Sequence, residues 1–169
     1  MLIHAGTNDL DSSNPRDIAD APKNLGALIQ AVIDRCPDVL VLVAQIVPRK
    51  DPVKDKLTLD FNNAIPAVVK AFTDQKKHVM AVDMYKAVSV AGLSLDGKHP
   101  SVTGYQKMAD AWYKALDQAN KMGWIKSAPA QDRLGTCETQ PIWTTQPGEI
   151  FQEYNPGQNL WPGTICKDE

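Results

Sequence analysis

Asp96 and His99 stand three residues apart in Asp-Gly-Lys-His-Pro. Pro100 keeps the pair out of a helix interior and places it on the loop that leads into the last helix. At this spacing the carboxylate can reach back to one imidazole nitrogen and fix the ring's tautomer. The other nitrogen is then free to act as a general base. About ninety residues earlier, Leu2-Ile3-His4-Ala5 breaks into Gly6-Thr7-Asn8-Asp9, which reads as a strand ending in a polar turn. Ligands of open α/β sheets bind just beyond the carboxyl ends of strands. There the Asn8 amide can donate to an oxyanion developing in acyl transfer. Gly6 permits the tight turn, and Asp9 is expected to hold the loop by accepting backbone N–H bonds. Either motif alone is common, and their pairing favours a functional reading of both.

The elements that position these residues follow from periodicity. Met1 to Ala5 reads as a buried strand and Asp11 to Pro15 as a loop. A helix is expected from Asp20 as N-cap with Pro22 in its first turn, its stripe being Leu25, Leu28, Ile29, Val32 and Ile33, and Cys36-Pro37-Asp38 ends it. Val39 to Ile46 is a continuous apolar run, the pattern of a strand covered on both faces. Pro48 to Lys56 reads as a loop. The next helix carries Phe61, Ile65, Val68, Val69 and Phe72 on one face, and Pro66 is expected to kink or divide it. Val79 to Met84 is a third strand, followed by a loop through Ser94. The last helix runs from about Ser101 or Thr103 to Ala119, with Tyr105, Met108, Trp112 and Leu116 inward. The order β-α-β-α-β-loop-α predicts parallel strands with right-handed crossovers, a doubly wound α/β layer. Two regions are expected: residues 1–126 as the domain, and 127–169, rich in Pro, Gly, Gln and Thr, as a tail on which Trp143 and Trp161 dock back.

Composition narrows the function. With 18 basic and 20 acidic residues the net charge is -2, which gives no electrostatic reason for nucleic acid or an anionic membrane as partner. No apolar run approaches the roughly eighteen residues needed to span a bilayer. The residues after Met1 are strand-like and do not read as a signal peptide. His4, His78 and His99 are far apart and no Cys/His cluster has metal-ligand spacing, so neither metal nor cofactor is expected. His4 reads as a packed core histidine, His78 as an exposed one ahead of a strand, Asp83 as a loop-orienting residue, and Cys36 as a buried thiol. Cys137 and Cys166 bracket the tail and could pair with each other in an oxidising compartment.

The segment Asp-Gly-Lys-His-Pro-Ser-Val-Thr-Gly-Tyr with Met108-Ala109-Asp110-Ala111-Trp112, taken with Ala5-Gly6-Thr7-Asn8-Asp9-Leu10 and Val41-Leu42-Val43-Ala44-Gln45-Ile46, resembles the SGNH/GDSL hydrolases. The likeness is greatest to their secreted fungal and bacterial acetylxylan-esterase-like branch. It runs from Met1 to about Ile125, and the tail from Cys137 through Trp143 and Gly148 to Ile150 resembles the segment after the hydrolase in fungal members. The resemblance implies a three-layer α/β/α flavodoxin-like fold with a parallel sheet, and serine esterolysis of small-molecule or polysaccharide O-acyl esters without a cofactor. His99 would be the base, Asp96 its partner and Asn8 an oxyanion donor, with Gly6 and Asp9 supporting the turn. The family's serine and glycine blocks precede its Gly-x-Asn-Asp turn. Ser12, Ser13, Ser89, Ser94 and Ser101 do not follow Gly-Asp at a strand end, so no nucleophile is assigned. The expectation is therefore a chain that lacks the first two of five strands and is inactive as it stands. Its parent would be extracellular, and its first strand an exposed edge open to pairing with another chain. The alternative is a catalytically dead module that binds carbohydrate or a partner.

Overall fold

The computed structural model describes residues 1–126. In chain order the elements are β1 (Leu2–Ile3), α1 (Thr7–Leu10), α2 (Pro15–Arg35), β2 (Val41–Ala44), α3 (Pro52–Thr73), β3 (Val79–Val82), α4 (Met84–Val88), a 3-10 turn (Val90–Gly92) and α5 (Val102–Lys121). The strands are parallel in the order β1-β2-β3, with Leu2 opposite Leu42 and Leu42 opposite Met80.

Alternation along β2 builds two cores. All four of its residues are buried. Val41 and Val43 face a cluster with Leu25, Ile29, Phe61, Ile65 and Phe72 from α2 and α3. Leu42 and Ala44 face a second cluster with Met84, Val88 and Ala115, against which Met108, Trp112 and Leu116 of α5 pack. Successive side chains of a strand point to opposite faces, so one apolar run supplies both layers. Burying each of the larger aliphatic side chains contributes about 1.5–3 kcal/mol. The expected parallel α/β/α layering is therefore what the chain adopts.

Local boundaries differ in instructive ways. α2 begins at Pro15, six residues before the start expected from an Asp20 cap. Asn14 is its N-cap, accepting from the Arg16 N–H at 3.1 Å, and Pro15 takes the first-turn position expected of Pro22. Pro22 lies inside the helix, which loses one internal bond there. The buried series Ala21, Leu25, Ile29 and Ile33 continues past it at four-residue spacing, while Leu28 is 43% exposed. α3 likewise runs unbroken through Pro66 and starts at Pro52 on an Asp51 cap, so the preceding loop is shorter than expected. β1 is two residues long with Leu2 exposed, not a buried five-residue strand. β3 stops at Val82, because Asp83 turns the chain by capping α4 through the Lys86 N–H. α4 and the 3-10 turn occupy what reads in sequence as loop. Cys36 is exposed at the α2 terminus, not buried. His78 is half-buried and stacks on Trp124, ring centroids 4.9 Å apart. Cys137, Trp143, Trp161 and Cys166 lie outside the described residues. No helix among the described residues is long and apolar enough to cross a membrane.

One buried polar residue fixes the end of β2. Asn62 is 2% exposed. Its amide accepts from the Ile46 N–H and donates to the Ile46 carbonyl, both at 2.8 Å. These bonds replace the ladder where the strand gives way to the loop toward the site. Asn62→Leu strands both backbone groups and is expected to destabilise the fold by about 2 kcal/mol, read from urea unfolding.

Candidate active site

The loop between the 3-10 turn and α5 is organised around one carboxylate. Asp96 Oδ1 accepts from the Ser94 hydroxyl at 2.7 Å and from the Lys98 and His99 N–H groups at 2.9 Å each. Oδ2 lies 2.5 Å from His99 Nδ1. The Ser94 N–H closes the loop on the His99 carbonyl at 2.7 Å. The predicted reach-back of Asp96 to the imidazole is therefore present, and it also shapes the backbone that carries the ring. The hydrogen bond with the His99 ring, then those from the Ser94 hydroxyl and the two N–H groups, hold the Asp96 carboxyl well below the usual carboxylate range. A depressed aspartate pKa means that the pairing is intact above the ordinary value near 4 and is lost only as pH falls below it. The far nitrogen, Nε2, is left for chemistry on a side chain that is 62% exposed.

The second motif meets this loop across a cleft. Gly6 has φ +125, a conformation that a side chain disfavours, and it turns the chain from β1 into α1, which carries Asn8. Asn8 and His99 line one cavity of about 230 Å³ with His4, Lys98 and Tyr105. The structure thus brings together Asn8, Asp96 and His99 from the two ends of the domain. Three readings are corrected here. The Asp9 carboxylate accepts no backbone N–H among the described residues; only its main-chain carbonyl accepts, from the Ser12 N–H at 3.2 Å. The carboxylate that ties the turn down is Asp11, at the end of α1, 2.6 Å from Arg49 and 2.5 Å from Lys98. His4 is not a core residue; it lies at the end of a short edge strand and lines the cleft. Enough protein surrounds its ring that desolvation lowers its pKa, against the opposing hydrogen bond with the Gln45 backbone. Tyr105, expected to face inward from α5, is 56% exposed and borders the cleft. Met108, Trp112 and Leu116 of the expected stripe do pack inward, and the fully buried positions of α5 are Gly104, Ala115 and Ala119. The cation and histidine of this wall, Lys98 and His4, carried no sequence signal beyond their nearness to the two motifs.

No serine among the described residues lines this cleft. Ser94 donates to Asp96, Ser12 donates to Asp17, and Ser101 caps α5 while donating to the Gly92 carbonyl. Each of these hydroxyls is engaged in shaping a loop or a helix end. Among the described residues there is also no cluster of three or more metal-ligating side chains.

Behind the cleft, the Tyr85 hydroxyl donates to Asp55 Oδ2 at 2.8 Å, while Oδ1 accepts from the Arg49 N–H. Burial, then the bond and the charge of Asp55, push the Tyr85 phenol up to about 12. A raised phenol pKa favours the protonated folded form. The stabilisation is whole below pH 10 and lost as pH rises toward 12. Phenolate absorbance at 295 nm should therefore lose a step near pH 12 in Tyr85→Phe, and that variant's stability should fall less steeply from pH 10 upward.

The sequence model of the GDSL-like lipase/acylhydrolase family matches residues 1–107. A curated protein of Acetivibrio thermocellus, named for an endoglucanase X, is 32% identical over 116 residues, which are 68% of this chain and 48% of that protein. Two solved structures superpose with a TM-score of 0.61 at 27% identity: a mutant acetyl esterase with acetate ion, and a carbohydrate esterase of family 3 from Talaromyces cellulolyticus. A family 3 carbohydrate esterase from Clostridium thermocellum follows at TM-score 0.55, also 27% identical. The alignments cover 71–72% of this chain and 57% of each of those chains. The chain thus spans about half the length of the curated relative and little more of the solved ones. The matched segment carries the Asn8 turn and the Asp96–His99 loop that meet across the cleft, and the chain belongs to the GDSL-like lipase/acylhydrolase family.

Proposed function

We propose that this chain carries the acid–base and oxyanion wall of a serine esterase that acts on acetylated carbohydrate. The observation that carries the reading is the shared cleft: a His99 imidazole held by Asp96 faces the Asn8 amide across one cavity. In the reaction His99 Nε2 takes the proton from a serine hydroxyl as that oxygen attacks the ester carbonyl. Asp96 holds Nδ1–H and stabilises the imidazolium that forms. The Asn8 amide donates to the tetrahedral oxyanion, and His99 returns the proton to the leaving alcohol. The serine would come from a Gly-Asp-Ser strand block outside this sequence, and the chain alone would not turn over. Its nearness to acetyl and family 3 carbohydrate esterases supports an O-acetyl sugar as substrate. We propose further that the longer parent acts outside the cell, a reading that rests on the sequence resemblance to the secreted acetylxylan-esterase-like branch alone.

The test is complementation. The chain is joined to a family segment holding the Gly-Asp-Ser block and assayed on p-nitrophenyl acetate and acetylated xylooligosaccharide. Hydrolysis by the joined protein, with no fluorophosphonate labelling of the chain alone, is the expected result. A joined protein that folds, presents its serine and hydrolyses neither ester would overturn the reading, and retained sugar binding would then favour a non-catalytic binding module.

A further inference from the structure

The two walls of the cleft are far apart in sequence, and something must set the distance between them. Asp11 closes α1, its N–H donating to the Asn8 carbonyl at 3.2 Å. Its Oδ2 is 2.5 Å from Lys98 Nζ, and Lys98 directly precedes His99. Its Oδ1 is 2.6 Å from Arg49 Nη2 and 3.5 Å from Lys54 Nζ. Arg49 is only 7% exposed and its Nη1 has no partner, so Asp11 is the charge on which burial of that guanidinium depends. The Arg49 backbone is itself pinned, its N–H donating to Asp55 Oδ1 at 2.8 Å. The next residue then reaches the opposite wall: the Lys50 N–H donates to the Gly97 carbonyl at 2.8 Å. Arg49-Lys50 therefore grips the Asn8 wall through a guanidinium and the His99 wall through an amide.

We propose that Asp11 is a positioning residue of this site, fixing the Asn8 turn against the Asp96–His99 loop through Arg49 and Lys98. The inference rests on the hydrolytic reading of Asn8 and His99, but the geometry it claims is present without turnover. Desolvation raises the Asp11 pKa, and the hydrogen bonds from Lys98 and Arg49 outweigh it, leaving the carboxyl below the ordinary aspartate value. Asp11 is thus an anion wherever the site works. Direct coupling between its two arms is what a rigid spacer needs, because hydrogen-bonded charges in one network act together and not independently.

The test is NMR on this chain, which needs no serine. Lys98→Met cuts the arm to the loop and leaves Asp11 with Arg49, so the fold is spared the buried unpaired guanidinium that Asp11→Ala would leave. The His99 ring nitrogen signals should move in Lys98→Met, and exchange of the Asp11 amide on the opposite wall should quicken at least tenfold. Amides of β2 should keep their rates, and Lys98→Arg should restore both signatures. Ring signals unmoved in Lys98→Met, no rescue by Lys98→Arg, or quickening in β2 as great as at Asp11 would each overturn the proposal. Failure of the complemented protein to hydrolyse esters, with the coupling intact, would instead count against the proposed function alone.

Discussion

His99→Ala in the complemented esterase is expected to lower kcat by about a million-fold, the scale known for removing the base of a serine triad. Asp96 cannot stand in as the base, since it already accepts from three donors at Oδ1 and faces the ring with Oδ2. Asp96→Asn should cost about ten-thousand-fold, with KM little changed. The reason lies in the bonds. The three donors keep an oxygen at the Oδ1 position, so the new amide NH2 must sit at Oδ2 and point at His99 Nδ1. That nitrogen becomes the acceptor, the ring proton moves to Nε2, and the base is occupied. Steady-state rates on p-nitrophenyl acetate from pH 5 to 9 check both. An Asp96→Asn enzyme within tenfold of wild type would mean that the pair does not perform the assigned chemistry.

Gly6→Ala is the substitution expected to damage the fold most, by about 2–6 kcal/mol. Two costs add. At φ +125 a side chain is strained by about 1–3 kcal/mol. A Cβ there would also lie 2.7 Å from Phe61 Cζ and 2.9 Å from Cε1, and overpacking a core contact costs roughly 1–3 kcal/mol. Phe61, on α3, is buried in the cluster that also holds Ile3 of β1, so its ring must be displaced for the Cβ to fit. Urea unfolding of Gly6→Ala gives the sum. Adding Phe61→Leu should return the steric part and leave the strain, which a double-mutant cycle separates. Equal stability of Gly6→Ala and wild type would show that the turn is not held as described.

How much of this was legible beforehand depends on the range over which each signal acts. The β2 run and the α3 stripe were readable because burial on two faces or one leaves a pattern within a few residues. Asp96 and His99 were readable because their bond spans three positions. The start of α2 was misplaced because Asn14-Pro15 and Asp20-Ala21-Pro22 offer the same capping chemistry, and only the burial of Ala21 decides between them. Asp9 was favoured over Asp11 because nearness to the motif stood in for geometry. The partners of Asp11 lie 38 and 87 residues away, and no local pattern announces a contact of that range. His4 was misassigned because a histidine in an apolar run looks buried until the strand is seen to sit at an edge.

The order β1-β2-β3 has a consequence for synthesis. Leu2 pairs with Leu42, and Leu42 with Met80, so each strand joins the one made just before it across a gap of similar length. Loop closure then costs about the same at each step, and these three strands can pair in order as they emerge from the ribosome. Among the described residues β1 is paired on one side only, so its other edge stays open to a further strand while β2 and β3 are being made.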